Sequence, residues 1–136
     1  MADQTNEQRA VFNQTRRSFL SLGVTTADTP LARLVGLLGK RKLRTDEGLW
    51  VVPSHGIHTV GMIVPIDVIY LDERQRVIHL IEHLGPFRVG PVRLDCASVL
   101  ELPVRTIYAS QTQLHDDLLI CSYAEIEHCW RTLQTL

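Results

Sequence analysis

The chain has 136 residues, 45% of them hydrophobic and 21% charged, with a net charge of -1 and a sequence pI near 6.6. That size and balance describe one domain able to bury its own core without a metal or disulfide framework. The near-neutral charge lacks the basic footprint of a nucleic-acid binder, and the longest apolar stretch, residues 62–71, is broken by Pro65 and Asp67 and too short to span a bilayer.

Residues 1–9 are polar and are expected to form a flexible N-terminus ahead of a β domain over 10–121. They contain no apolar core of the kind a signal peptide needs, so the cytoplasm is the expected location. AVFNQ and SFLSLGVTT read as two strands parted by Thr15, Arg16 and Arg17, the second alternating Phe19, Ser21 and Gly23 against Leu20, Leu22 and Val24. Thr29 and Pro30 open a helix over 30–39, with Leu31, Leu34, Val35 and Leu38 as one apolar stripe and Gly39 as its stop. Lys40, Arg41, Lys42 and Arg44 follow and suit the negative end of that helix.

GLWVV reads as a buried strand closed by Pro53, and residues 57–71 as a long strand region in which Pro65 marks a bulge or break. Asp72–Gln75 is a turn, and the strand Arg76–Leu84 returns antiparallel. Strict alternation there puts Val77, His79, Ile81 and His83 on one face and Ile78, Leu80, Glu82 and Leu84 on the other. After a Gly- and Pro-rich loop over 85–95, ASVLEL is a strand stopped by Pro103, Thr106–Ala109 can extend the sheet, and LLIC is the last strand. Ser122 and Glu125 have the spacing of a capping box, and Tyr123, Ile126, Trp130 and Leu133 form a stripe on a C-terminal helix over about 123–134. Trp130 is expected to be buried against the domain, so that Trp130→Ala costs about 3–5 kcal/mol. The three cysteines, Cys96, Cys121 and Cys129, are odd in number and form no CxxC pair, so Cys121 reads as a reduced core thiol. The fold class these elements give is α+β, mostly β.

RLVGLLGKRKL, GLWVVPSHGIHTVGMIVPIDVIYLDERQRVI and ASVLELP, in this order, resemble the segments that mark the domain of unknown function 192 family. The resemblance covers roughly residues 12–120. It implies a compact, antiparallel, barrel-like sheet with one helix packed on it, to which the C-terminal helix is an addition. It implies no established reaction. Many relatives carry an export leader, which is not expected here from residues 1–9. Two positions depart from the family pattern: Ile63 stands where Lys or Arg is common, and Asp116-Asp117 where Gly-Asp is common.

Asp67 is the most informative single residue, an acid inside MIVPIDVIYL. A buried carboxyl needs hydrogen bonds or a cation. Arg33, bordering the apolar stripe of the first helix, is the expected partner, and backbone N–H groups are the alternative. His55 and His58 have the spacing of a ligand pair, but Pro53 and Gly56 place them on a loop, and a zinc site would also need Asp67 or Asp72. His79 and His83 are roughly 13 Å apart along a strand and cannot share an ion. No Gly-x-Ser-x-Gly elbow or phosphate-binding glycine loop is present, and nothing orients a Cys–His pair. The expectation is therefore a binding or accessory module without catalytic residues, cofactor or metal. Its candidate pocket comprises Arg33, His58, Met62, Asp67 and Glu101, and its partner is a small molecule or a protein. Nucleic acid and membrane insertion are not expected, and the chain is a monomer or homodimer. The second reading is a metal-assisted hydrolase built on His55, His58 and Asp67.

Overall fold

The computed structural model describes residues 8–27, 47–56 and 64–135. The expected first helix over 30–39 and the stretch 57–63 lie outside the described residues. Seven strands form one sheet: β1 (Gln8–Asn13), β2 (Ser18–Ala27), β3 (Glu47–Val51), β4 (Ile66–Leu71), β5 (Val77–Leu84), β6 (Ser98–Pro103) and β7 (Leu118–Ser122). Their spatial order is β5-β4-β6-β3-β2-β1-β7, curled into a half-barrel. Five of the six strand neighbours pair antiparallel. The sixth departs from the antiparallel expectation: β2 and β3 run parallel, Thr25 opposite Leu49. Parallel neighbours need a long crossover, which here is the connection over 28–46.

The two ends of the sheet meet at one rim. Arg76 bridges Asp117, Val77 N–H donates to Asp116 O at 2.9 Å, and Leu118 N–H donates to Gln75 O at 3.0 Å. The main apolar cluster joins Ile69 and Leu71 of β4, Val77 of β5, Leu100 and Leu102 of β6, Val11 of β1, Val24 of β2 and Leu118 of β7. Residues from both ends of the strand order can touch only on the inside of a curl. Each such side chain, fully buried, contributes about 1.5–3 kcal/mol. Gly48 lets β3 lie close to β6, since a Cβ there would come within 2.8 Å of Leu102 Cδ2 and 3.0 Å of Glu101 O.

The outer face carries separate clusters. Ile66, Val68, Tyr70, Cys96 and Val99 form one, and Ala10, Phe12, Cys121 and Cys129 another. Strict alternation in β5 fails. Val77 and Leu80 join the inner cluster, whereas Ile78, Ile81 and Leu84 join the outer one. Two register shifts against β4 cause this, one of them beside His83, whose φ is 57°.

Thr106–Ala109 does not extend the sheet. Pro103 ends β6, Arg105 takes a left-handed φ of 75°, and Thr106–Ser110 forms a short helix, α1. Ile107 drops from it into the inner core. The C-terminal helix exists as a 3-10 turn, Tyr123–Glu125, running into α2 (Ile126–Thr135). Ser122 makes no side-chain capping bond, so the capping box is not formed.

Two further expectations at this end are corrected. Cys121 is not a reduced thiol but is joined to Cys129 in a disulfide, with Cα atoms 6.7 Å apart. The angle at which α2 returns over β7 brings them together, and sequence spacing does not encode that angle. Trp130 is 48% exposed rather than buried, because the helix turns Cys129 and Ile126 inward instead. Trp130→Ala is accordingly expected to cost about 1–2 kcal/mol in urea unfolding, below the range for a fully buried aromatic. A loss above about 3 kcal/mol would show the indole to be packed more deeply.

Candidate functional site

Asp67 sits in β4 between Ile66 and Val68, and only 1% of it is exposed. Its Oδ1 accepts the His83 N–H at 3.0 Å, and its Oδ2 accepts the Ile107 N–H at 3.0 Å. The first donor is at the β5 bulge, where the local kink turns an N–H out of the ladder. The second is in the first turn of α1, where N–H groups lack helical partners. Asp67 thus fastens a bulge and a helix start to the central sheet. The alternative of backbone N–H partners holds. The expected partner Arg33 lies outside the described residues, as do His58 and Met62.

Glu101 is the other buried acid of the expected pocket. On β6 it stands opposite Leu49 of β3 and Val68 of β4. Asp67 stands opposite Leu102, one residue along. Because successive residues point to opposite faces, the structure does not bring the two acids together. Asp67 faces the inner core with Ile69 and Leu102, and Glu101 faces outward with Val68 and Val99. Glu101 is 2% exposed, its Oε2 has no hydrogen-bond partner among the described residues, and burial pushes its pKa up to about 8. Burial thus favours the protonated acid at neutral pH, with bonding capacity left over, in a wall of Val and Leu side chains.

His55 follows the cis Val52–Pro53 peptide, and its Nδ1 lies 2.7 Å from Cys96 O. It lines a cleft of about 470 Å³ with Asp72, Glu73 and Asp95, which Asp67 does not line. Asp72 Oδ1 is taken by the N–H groups of Arg74 and Arg76, each at 2.9 Å, and Asp95 pairs with Arg93 at 2.7 Å. Among the described residues no group of three or more His, Cys, Asp and Glu side chains is placed to hold a metal ion. The remaining thiol, Cys96, is buried, and desolvation raises its pKa. His79 packs edge-on against Tyr70, with ring centroids 5.1 Å apart.

Sequence reasoning missed a buried polar knot at the closed rim. Asp116 Oδ2 accepts from Asn13 Nδ2 at 2.9 Å, the Gln113 N–H at 2.9 Å and Arg16 Nε at 3.1 Å. Desolvation alone would raise its pKa, but the bonds from Asn13, Gln113 and Arg16 outweigh it and hold the carboxyl below its ordinary range. The available signals were Asn13, a polar residue closing an apolar strand, and the acid in the Asp116-Asp117 pair where the family commonly has Gly. Asp117 itself pairs with Arg76 at the surface, at 3.2 Å.

Comparison with known proteins places this geometry. The profile of the domain of unknown function 192 family, described as "Uncharacterized ACR", matches residues 11–120. No curated protein matches. A solved protein of Sinorhizobium meliloti 1021, provisionally named a transcription regulator, is similar at a TM-score of 0.68 and 18% identity, over 88% of this chain and 97% of the other. A protein of unknown function from Novosphingobium aromaticivorans DSM 12444 is similar at a TM-score of 0.65 and 18% identity, over 82% of each chain. At that identity the likeness is one of fold. Among the described residues no helix is long and apolar enough to cross a membrane.

Proposed function

Since the chain belongs to the domain of unknown function 192 family, whose description assigns no reaction, we propose that it is a non-catalytic binding module whose ligand is held at Glu101. The observation that carries this is a single one, a 2% exposed carboxyl group whose Oε2 has no hydrogen-bond partner among the described residues; burial favours its protonated form. A buried polar group left unpaired costs about 1–3 kcal/mol, and a fold retains that cost most readily where a ligand relieves it. A protonated acid offers one O–H donor and a carbonyl acceptor, the complement of an amide, a urea or an alcohol. The hydrolase reading has weaker support, because both oxygens of Asp67 are already taken by backbone donors. The partner is a small molecule or a protein segment presenting such a group. A net charge of -1 favours neither nucleic acid nor an anionic surface. Location in the cytoplasm, expected from the sequence, is weighed down by the Cys121–Cys129 disulfide, a bond that persists in oxidising compartments.

The test is a fragment screen of small amides, ureas and alcohols at pH 6.5, read on the Glu101 side-chain carboxyl carbon by NMR. Compounds of at least one class are expected to shift that signal and to raise the melting temperature of the wild type. Glu101→Leu, which keeps the volume and removes the bonding, should lose both effects. A carboxyl signal unmoved by every class would sink the reading.

A further inference from the structure

We propose that the cleft between the β1–β2 turn and α2 is a second binding site, selective for a single-ring aromatic carboxylate. Its lining is Phe12, Arg17, Ser18, Phe19, Trp130 and Gln134, around a volume of about 260 Å³. Phe12 is the buried floor, and Phe19 and Trp130, 45% and 48% exposed, are the walls. The Phe12 ring is 5.9 Å from Phe19 at 59° and 6.2 Å from Trp130 at 50°. Three tilted rings thus surround an open place of about one ring's size, smaller than the pockets that take drug-sized ligands.

The walls are held in position before any ligand arrives. The Cys121–Cys129 disulfide ties α2 to β7 at the residue next to Trp130. The Tyr123 hydroxyl donates to Leu22 O and lies within 3.3 Å of Gln8 Oε1, anchoring the turn that precedes the helix. Ordering that is already complete is not charged against binding. Phe19 on β2 and Trp130 on the stapled helix each pack one side on buried Phe12 and leave about half of their surface in water.

Charge decides the class of ligand. An aromatic cage by itself suits a cation, through the negative faces of its rings. Among the described residues the one charged side chain lining the cleft is Arg17, and no acid lines it. Its neighbour Arg16 is spent on Asp116 at 3.1 Å and on Gln113 Oε1 at 2.8 Å. Arg17 is exposed and makes no hydrogen bond or ion pair with any described residue. A cation is therefore repelled, and a carboxylate beside a planar ring is matched at both ends.

The experiment titrates the disulfide-bonded, full-length protein with phenylacetate, benzylamine and acetate, following the indole N–H signal of Trp130 by NMR. Phenylacetate is expected to shift that signal saturably, with the other two at least tenfold weaker. Arg17→Gln should weaken phenylacetate about tenfold with the melting temperature unchanged, and Glu101→Leu should leave it untouched, which separates this site from the one proposed above. Benzylamine binding as tightly as phenylacetate, or an Arg17→Gln variant that binds normally, overturns the proposal. So does a concentration-dependent dimer that Trp130→Ala dissolves and phenylacetate does not perturb, since a second copy would then be the occupant.

Discussion

Asp67→Ala is expected to lower the free energy of unfolding by about 3–5 kcal/mol. The side chain accepts two N–H groups, from His83 and Ile107, each at 3.0 Å. A buried donor left without its acceptor costs about 1–3 kcal/mol, and here the buried Ile107 N–H and the partly buried His83 N–H lose theirs together. The site cannot easily recruit water, for Asp67 is 1% exposed and Ile66, Val68 and Leu102 around it are fully buried. Asp67→Asn separates structure from function most clearly. One amide oxygen can still accept, but the NH₂ group meets the second N–H donor head-on, for an expected loss of about 2–4 kcal/mol. A functional acid facing an open pocket would behave otherwise, and Asp67→Asn would then leave the urea midpoint where it is. Stability within about 0.5 kcal/mol of wild type in both variants would refute the structural role.

Much of the sheet was legible because its signals are local. Pro53 and Pro103 close strands, Asp72–Gln75 turns one hairpin, and runs such as VFN, LWV and VIY fit pleated, half-buried surfaces. What escaped was non-local or short. The parallel pairing of β2 with β3 depends on where a crossover returns, which composition does not state. Helix α1 has five residues, fewer than two turns, and so shows no period. The bulges in β5 break the alternation by which a regular strand's sequence divides its two faces.

The expected site was legible as a set of residue types and illegible as a set of positions. Asp67 and Glu101 were both recognisable as acids inside apolar strands, MIVPIDVIYL and ASVLELP. Whether two such acids meet depends on register parity alone. Had Asp67 stood opposite Glu101 rather than Leu102, they would have formed a carboxyl pair. The disulfide and the aromatic cleft escaped for a related reason. Both depend on the angle at which α2 lies over β1 and β7, and an apolar stripe reports which face is buried only after that angle is known.

Glu101→Gln is expected to stabilise the protein increasingly as pH rises. In the unfolded chain a glutamate titrates near its ordinary value of 4.5, whereas in the fold burial moves Glu101 to about 8. Between those values the native state holds a proton that the unfolded state has released. The fold's stability therefore falls as pH increases through this window, and the contribution fully present below about 4.5 is lost by the time pH has passed 8. One pKa unit corresponds to about 1.4 kcal/mol, so the loss at pH 7 is on the order of 3 kcal/mol relative to acid conditions. Other carboxyls act in the opposite sense. Asp116, held below its ordinary range by Asn13, Gln113 and Arg16, gives stability that disappears as pH falls. The raw curve for the wild type mixes these terms, but the difference between Glu101→Gln and wild type does not. Glutamine has nearly the same shape and no titration, so that difference should climb by about 1.4 kcal/mol per pH unit across the window and level off above pH 8. Urea unfolding at half-unit intervals from pH 5 to 9 measures it. A difference that stays flat would mean that Glu101 keeps an ordinary pKa, and with it would go the neutral acid on which the proposed ligand site rests.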